Sequence, residues 1–264
     1  QRLQTLLIRA GSVQGLGLAG LRADRMPVLP GGIAIMSAVF EELGIEHMTY
    51  ADGALRLGVL YDLLGRVHHR DMRDATVDQF MRRYQVDARQ AERIERTAGH
   101  ILLQLLGKPQ TPDQESDFQF LSWAAKLHEI GISVAHNGYH KHGAYILTFA
   151  DMPGFSKKDQ ARLALLVFGH RGKLEKITAL PTGDPHWKLL CALRLATLFH
   201  RSRDGVSLPP FRLRALADGF LLELQNDWLA MHPLTAVALS EEIAAWQRVG
   251  QVLSVKHRNL ERDA

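Results

Sequence analysis

The stretch that most constrains the fold is residues 121–147, LSWAAKLHEIGISVAHNGYHKHGAYIL. An apolar helical run ends in the adjacent pair His128-Glu129. A glycine turn follows, then His136, His140, Lys141 and His142, and a second apolar helix opens from Gly143. Leu121, Ala124, Ala125 and His128 recur at i, i+3, i+4 and i+7, so His128 points the same way as the apolar side chains. Glu129, four residues after Ala125, leans with it. A histidine and a carboxylate on a buried face must be hydrogen-bonded, ion-paired or bound to a metal. A satisfied core histidine beside an ion-paired glutamate meets that demand, and so does a metal-ligating pair.

LHEIG followed by HKHGAYIL resembles the signature of the HD phosphohydrolase superfamily, an adjacent His-Asp on a helix, a glycine turn and a later His before Gly-Ala. Glu129 stands where that family has Asp. The resemblance implies a His one helix earlier and an Asp on a later helix. Those places hold Gln90, in QAERIERTA, and Thr197, in LRLATLFHRS. Gln is a poor ligand for a transition metal and Thr supplies no charge. The resemblance therefore implies an HD-like fold whose metal chemistry is lost, with Gln90, His128, Glu129 and Thr197 as degenerate positions and no metal in this chain.

Composition sets wider bounds. The 264 residues, 46% of them apolar, supply core for two small domains. A net charge of +4 favours anionic partners without identifying one. The single cysteine, Cys191, excludes an internal disulfide and suits a reducing compartment, so a cytoplasmic protein is expected. No apolar run approaches the roughly 20 residues that cross a membrane, and no integral membrane contact is expected. Aromatic residues interleaved with basic ones are missing, which argues against a nucleic-acid partner. The chain opens on Gln1 with no Met before Met26, and its natural start is expected upstream.

At the amino-terminal end, a short helix over residues 1–10 is expected. Pro30-Gly31-Gly32 is expected to turn into a helix over residues 33–43, followed by a strand over 46–51, an Asp52-Gly53 turn and a helix over 54–64. A glycine pair at a helix start can hold an anion, and more often it only makes a tight turn. The run ADRMPVLPGGIAIMSAVFEELGIEHMTYADGALRLGVLYDLLGR, with YHKHGAYIL and ADMPGFS further on, resembles the exopolyphosphatase / guanosine pentaphosphate phosphohydrolase family.

That resemblance implies a mainly α fold with a small α/β part. Residues 1–66 would end an actin-like (ASKHA, ribonuclease H-like) domain, residues 67–205 would form a divergent HD-like helical domain, and residues 206–264 a small ββαβ unit. It also implies cleavage of a terminal phosphoanhydride bond, with glycine-rich phosphate loops, an essential glutamate and magnesium in the full-length enzyme. No strand here leads into an Asp-x-Gly loop and no Gly-Gly-Gly-Ser run exists. Phosphoryl transfer depends on positioned charge and metal, so no catalytic residue is expected in this chain and the chain alone is expected to be inactive. Its implied roles are to bind inorganic polyphosphate and to form a homodimer through the HD-like and C-terminal parts, with Gly31, Gly32, Asp52 and Arg56 as cleft contributors. The exopolyphosphatase branch is placed first because the HD-like and terminal parts are complete. The alternatives are a guanosine pentaphosphate phosphohydrolase and an HD-type metal-dependent phosphohydrolase acting on a nucleotide.

In the remainder, helices are expected over 71–84 and 88–106, the latter with Gln90 on its apolar stripe. Ser156 to Asp159 reads as a capping box opening a helix to 168. The helix over 184–203 turns Thr197 to the centre and sends Arg194, Arg201 and Arg203 elsewhere. FRLRALADGFLLELQ reads as a hairpin turning at Asp218-Gly219, then an extended Trp228-Leu229, a helix over 233–249 and a strand over 251–256. The turns that carry His140, Lys141 and His142 and His170, Arg171 and Lys173 are expected to converge into one polyphosphate-binding patch, with residues 66–70 (RVHHR) as the next candidate. Free histidine titrates near ~6.5, so such a patch should tighten as pH drops from about 8 to 6.

Overall fold

Proline and glycine set where the helices of the amino-terminal part begin and end. The computed structural model describes residues 2–18, 20–49, 71–177, 180–181, 183–203, 208–225 and 227–258. The chain divides into two units, Gln1–Gly58 and Val59–Ala264. The first contains helix α1 (Arg2–Ala10), single turns of 3-10 helix at Gln14–Leu16 and Ala23–Val28, and helix α2 (Leu29–Glu42). Pro30-Gly31-Gly32 lies inside the first turn of α2, not ahead of it. Proline is at home there because a first-turn N–H has no intrahelical partner to lose. Residues 46–49 are irregular, not part of a strand. Asp52, Arg56, the helix expected over 54–64 and the basic residues 66–70 lie outside the described residues.

The second unit is mainly helical with a small three-stranded sheet. Its helices are α3 (Met72–Arg83), α4 (Ala88–Leu106), α5 (Pro112–Leu127), α6 (Tyr139–Phe149), α7 (Lys157–Gly169) and α8 (His186–Phe199). Short polar side chains start four of them. Asp71, Asp87 and Thr111 accept from backbone N–H groups of the first turn, and Ser156 with Asp159 forms the expected capping box. Helix α8 is the axis of the core, buried along Trp187, Leu189, Leu190, Leu193, Leu195, Ala196 and Phe199. A helix buried on nearly every side belongs in an interior.

Close approach of backbones fixes the turn after α5. A Cβ on Gly131 would stand 2.0 Å from the carbonyl oxygen of Tyr139 and 2.5 Å from the N of Gly143. No side chain fits there, so the segment after His128-Glu129 rests directly on the first turn of α6.

The sheet has the order β1 (Phe211–Leu216), β2 (Gly219–Gln225), β3 (Val252–Arg258). Strands β1 and β2 are antiparallel, with Leu216 opposite Gly219; β3 runs parallel to β2 and joins it through helices α9 (Trp228–Met231) and α10 (Pro233–Gln247). The hairpin turns at Ala217-Asp218, one residue earlier than expected. Gly219 is instead required by β3: a Cβ there would lie 1.9 Å from the carbonyl oxygen of Val252. Trp228-Leu229 is helical and not extended, and its indole packs on Phe199 at 6.2 Å between ring centroids. On the exposed side of β1, Gln104 of α4 accepts from the N–H of Leu213 at 2.6 Å and donates to the carbonyl of Phe211 at 3.3 Å. A side chain thus occupies the edge that would otherwise pair with another strand.

The sheet and the helices share one core. Trp187 of α8 meets Trp246 of α10 at 5.7 Å, and Phe199 meets Phe211 at 5.7 Å. Within this core lies one charged pair. Arg194 of α8 donates through Nε and Nη2 to Glu242 of α10 at 2.5 and 2.6 Å. It also donates to the carbonyls of Gly169 at 2.7 Å and Gly172 at 3.0 Å. The Trp246 indole completes Glu242 at 2.7 Å.

Removing one member of a buried pair strands the other's charge, at about 3–5 kcal/mol. Glu242→Gln, which keeps the shape, should lower unfolding stability by about 3 kcal/mol in urea titration. The double change Arg194→Met with Glu242→Met should recover only part of that, because the carbonyls of Gly169 and Gly172 lose their donor.

Candidate functional site

Where α5 ends and where α7 ends, the chain offers a histidine at the same geometric position. His128 follows the last turn of α5, and its Nδ1 bonds the carbonyl of Ala125 at 2.7 Å. His170 follows α7, and its Nδ1 bonds the carbonyl of Val167 at 2.5 Å. The two rings meet edge to face at 5.4 Å. Both side chains are buried, and desolvation, the largest cause, pushes both imidazoles below their ordinary value of 6.5. Each ring therefore stays neutral, with its proton on Nδ1 donated to the backbone and Nε2 left to accept. The Tyr139 hydroxyl lies 3.4 Å from Nε2 of His170, and burial raises its pKa so that it keeps its proton.

These residues form the floor of a cleft of about 730 Å³ within the second unit, between the ends of α5, α7 and α8 and one face of α10. Gln90, Glu129 and Thr197 line it, with Arg171, Lys173, Arg201, Arg203 and Arg248 around it. The four positions singled out from the HD resemblance are thus brought together, with His170 between them. The basic patch expected from sequence divides. His170, Arg171 and Lys173 line the cleft, whereas His140, Lys141 and His142 stand outside its lining on the first turn of α6. His140 is held down to about 4, by desolvation first and then by the charges of Lys176, Arg171 and Lys141. The tightening from about pH 8 to 6 expected of these histidines thus finds no support in His140 or His170, both neutral across that interval. Gly31 and Gly32 belong to the first unit, with nothing within 4 Å of the space a Cβ would take.

Four side chains that sequence reasoning assigned no role complete the site. Arg203 donates to Glu129 Oε1 at 2.5 Å and to Asp87 Oδ2 at 3.1 Å. Arg194 holds the 169–172 turn through its carbonyls, as above. Arg201 lines the cleft, and Lys176 donates to the carbonyl of Arg171. Desolvation, with the nearby charges of Arg194 and Lys141, lowers the Lys176 amine to about 7. The only sequence signal for this group was the excess of basic residues after α7 and within and after α8.

The donors on the floor do not fit a metal ion. The Gln90 amide donates to the carbonyl of His200 at 2.7 Å, and its oxygen accepts from Arg93 at 2.8 Å. The Thr197 hydroxyl donates to the carbonyl of Arg194 at 2.8 Å. Glu129 already has a cation in Arg203. Among the described residues no three His, Cys, Asp or Glu side chains group closely enough to hold a metal.

The neutral histidines set an acid response. A histidine whose folded pKa lies below its unfolded value binds its proton more readily when unfolded. Its contribution is fully present above the unfolded value of 6.5 and is lost as pH falls through the folded one, about 4 for His140. Stability of the chain should therefore decline from about pH 6.5 toward 4, and His140→Gln should flatten the slope in urea titrations across that window.

Comparison with known proteins places the chain in a family. Residues 72–243 match the family Ppx/GppA phosphatase, domain III, and residues 1–67 match the Ppx/GppA phosphatase family. A guanosine-5'-triphosphate,3'-diphosphate pyrophosphatase of Aeromonas hydrophila is 38% identical over 264 residues, which cover 95% of this chain and 51% of that protein. Proteins of the same name are 36% identical in Pseudoalteromonas translucida (92% of this chain, 50% of the relative) and 33% identical in Vibrio cholerae (97% and 52%). The chain spans about half the length of the curated relatives it matches. No described helix is long and apolar enough to cross a membrane. With both parts of its length matched, the chain belongs to the Ppx/GppA phosphatase family.

Proposed function

We propose that this chain is the binding part of a phosphohydrolase whose substrate is guanosine-5'-triphosphate,3'-diphosphate, with inorganic polyphosphate as the second reading. The observation that carries the choice is the name shared by the relatives, which favours the guanosine alternative over the exopolyphosphatase branch placed first from sequence. In the cleft, Arg171, Lys173 and Arg201 are exposed and make no ion pair among the described residues. They are the groups that would take phosphate oxygens through charge-assisted hydrogen bonds.

Bond cleavage is assigned to residues outside this cleft. Among the described residues the floor has no metal-binding set, and phosphoryl transfer needs both charge and metal in place. Magnesium, on this reading, serves the full-length enzyme apart from His128 and Glu129. Homodimerisation through the second unit stays part of the proposal, as does a cytoplasmic location.

The experiment is calorimetric titration of the chain with guanosine-5'-triphosphate,3'-diphosphate and with polyphosphate, together with an assay for phosphate release. Binding of the guanosine compound is expected, without phosphate release. The variant Arg171→Ala/Lys173→Ala/Arg201→Ala should lose at least about tenfold in affinity. Unchanged affinity in that variant would remove the cleft from the binding role. Phosphate release by the purified chain that Glu129→Gln abolishes would return the HD-type reading.

A further inference from the structure

Phosphate binding leaves one feature of the cleft unexplained, the pair of acceptors on its floor. His128 is 1% exposed, and its ring proton is committed to the carbonyl of Ala125. Its Nε2 can then only accept. The charged group facing it is Glu129 Oε1 at 3.7 Å, itself an acceptor. Arg203 satisfies Oε1 of that carboxylate, and among the described residues no donor reaches Oε2. Two acceptors side by side, one of them charged, disfavour a phosphate oxygen and call for a ligand that offers N–H groups. The rim is mostly the opposite, with the donors Arg171, Lys173 and Arg201 beside the single exposed carboxylate of Glu241. One end of the cleft wants donors and the other wants anions.

We propose that the cleft of the second unit holds a guanine nucleotide, with the N1–H and N2 amino groups of the base donating to Glu129 Oε2 and His128 Nε2 and its phosphates on Arg171, Lys173 and Arg201. The proposal rests on the guanosine reading above and adds the residues that would read the base. Guanine presents adjacent donors on this edge, whereas adenine presents one amino donor beside an acceptor nitrogen. An adenine base would therefore set its ring nitrogen against one of the two floor acceptors. The volume, about 730 Å³, lies within the ordinary range for small-molecule sites. Arg203 has a positioning role here, holding Glu129 by Oε1 so that Oε2 stays available.

The test is calorimetric titration of the chain with guanosine diphosphate, adenosine diphosphate and inorganic tripolyphosphate at about 0.15 M salt. The parent chain, Glu129→Gln and His128→Phe are compared, with circular dichroism melts as the check on folding. The parent should bind the guanine nucleotide at least about tenfold tighter than the adenine one. In both variants that preference should disappear while tripolyphosphate binds no more weakly than to the parent. Equal affinity of the parent for both nucleotides overturns the base assignment and leaves the phosphate reading standing, provided tripolyphosphate binds. Failure of all three to bind overturns both readings. If His128→Phe does not fold, Glu129→Gln decides alone, and a preference retained there overturns the proposal.

Discussion

A guanidinium buried on the helix at the axis of the core is the constraint on which the rest depends. Arg194 sits among leucines of α8, where an unpaired charge could not be tolerated. Its partner Glu242 is 48 residues away on α10. The C-terminal strands and α10 must therefore seat against the helical core before the arginine is satisfied. The same guanidinium spends its remaining donors on the carbonyls of Gly169 and Gly172, so the turn that carries His170, Arg171 and Lys173 is set by the same interaction. One ion pair thus joins α8 to α10 and fixes one wall of the cleft.

The opposite wall is set by backbone contact. Gly131 lets the segment after α5 lie against α6 without a side chain between them, and this fixes where His128 and Glu129 face. Arg203, just past α8, then bridges to Glu129 and Asp87. Its backbone is in the left-handed region, with φ of 58°, a conformation that costs a non-glycine residue some energy. The two carboxylates it reaches offset that cost. The floor is neutral histidine and a glutamate held through one oxygen by an arginine, and cations that make no ion pair among the described residues lie further out. On that arrangement rests the proposal that the cleft holds phosphates and does not activate water.

Much of this could be read from the chain, because short spacings carry it. His128 and Glu129 declared themselves as inward residues by helical period, and Gln90 and Thr197 fell on the inner faces of their helices. The Ser156–Asp159 box and the ββαβ order of the tail followed from local chemistry. What could not be read depended on distant partners. Nothing in the sequence ties Arg194 to Glu242, and a helix wheel sends Arg201 and Arg203 outward because it continues α8 past Phe199, where the helix stops. Gly219 looked like a turn residue, but its reason is the carbonyl of Val252, brought alongside from a strand more than thirty residues later. The neutrality of His140 and His170 likewise arises from burial and neighbouring charge, which no spacing displays.

Hydrogen exchange on the chain with and without guanosine-5'-triphosphate,3'-diphosphate tests most directly whether the cleft of the second unit is the ligand site. The account predicts slowed exchange in three separate segments, residues 128–139, 170–177 and 198–203, because a ligand in the cleft touches all three at once. Binding that leaves these segments unchanged, with protection confined to residues 2–49, would contradict it.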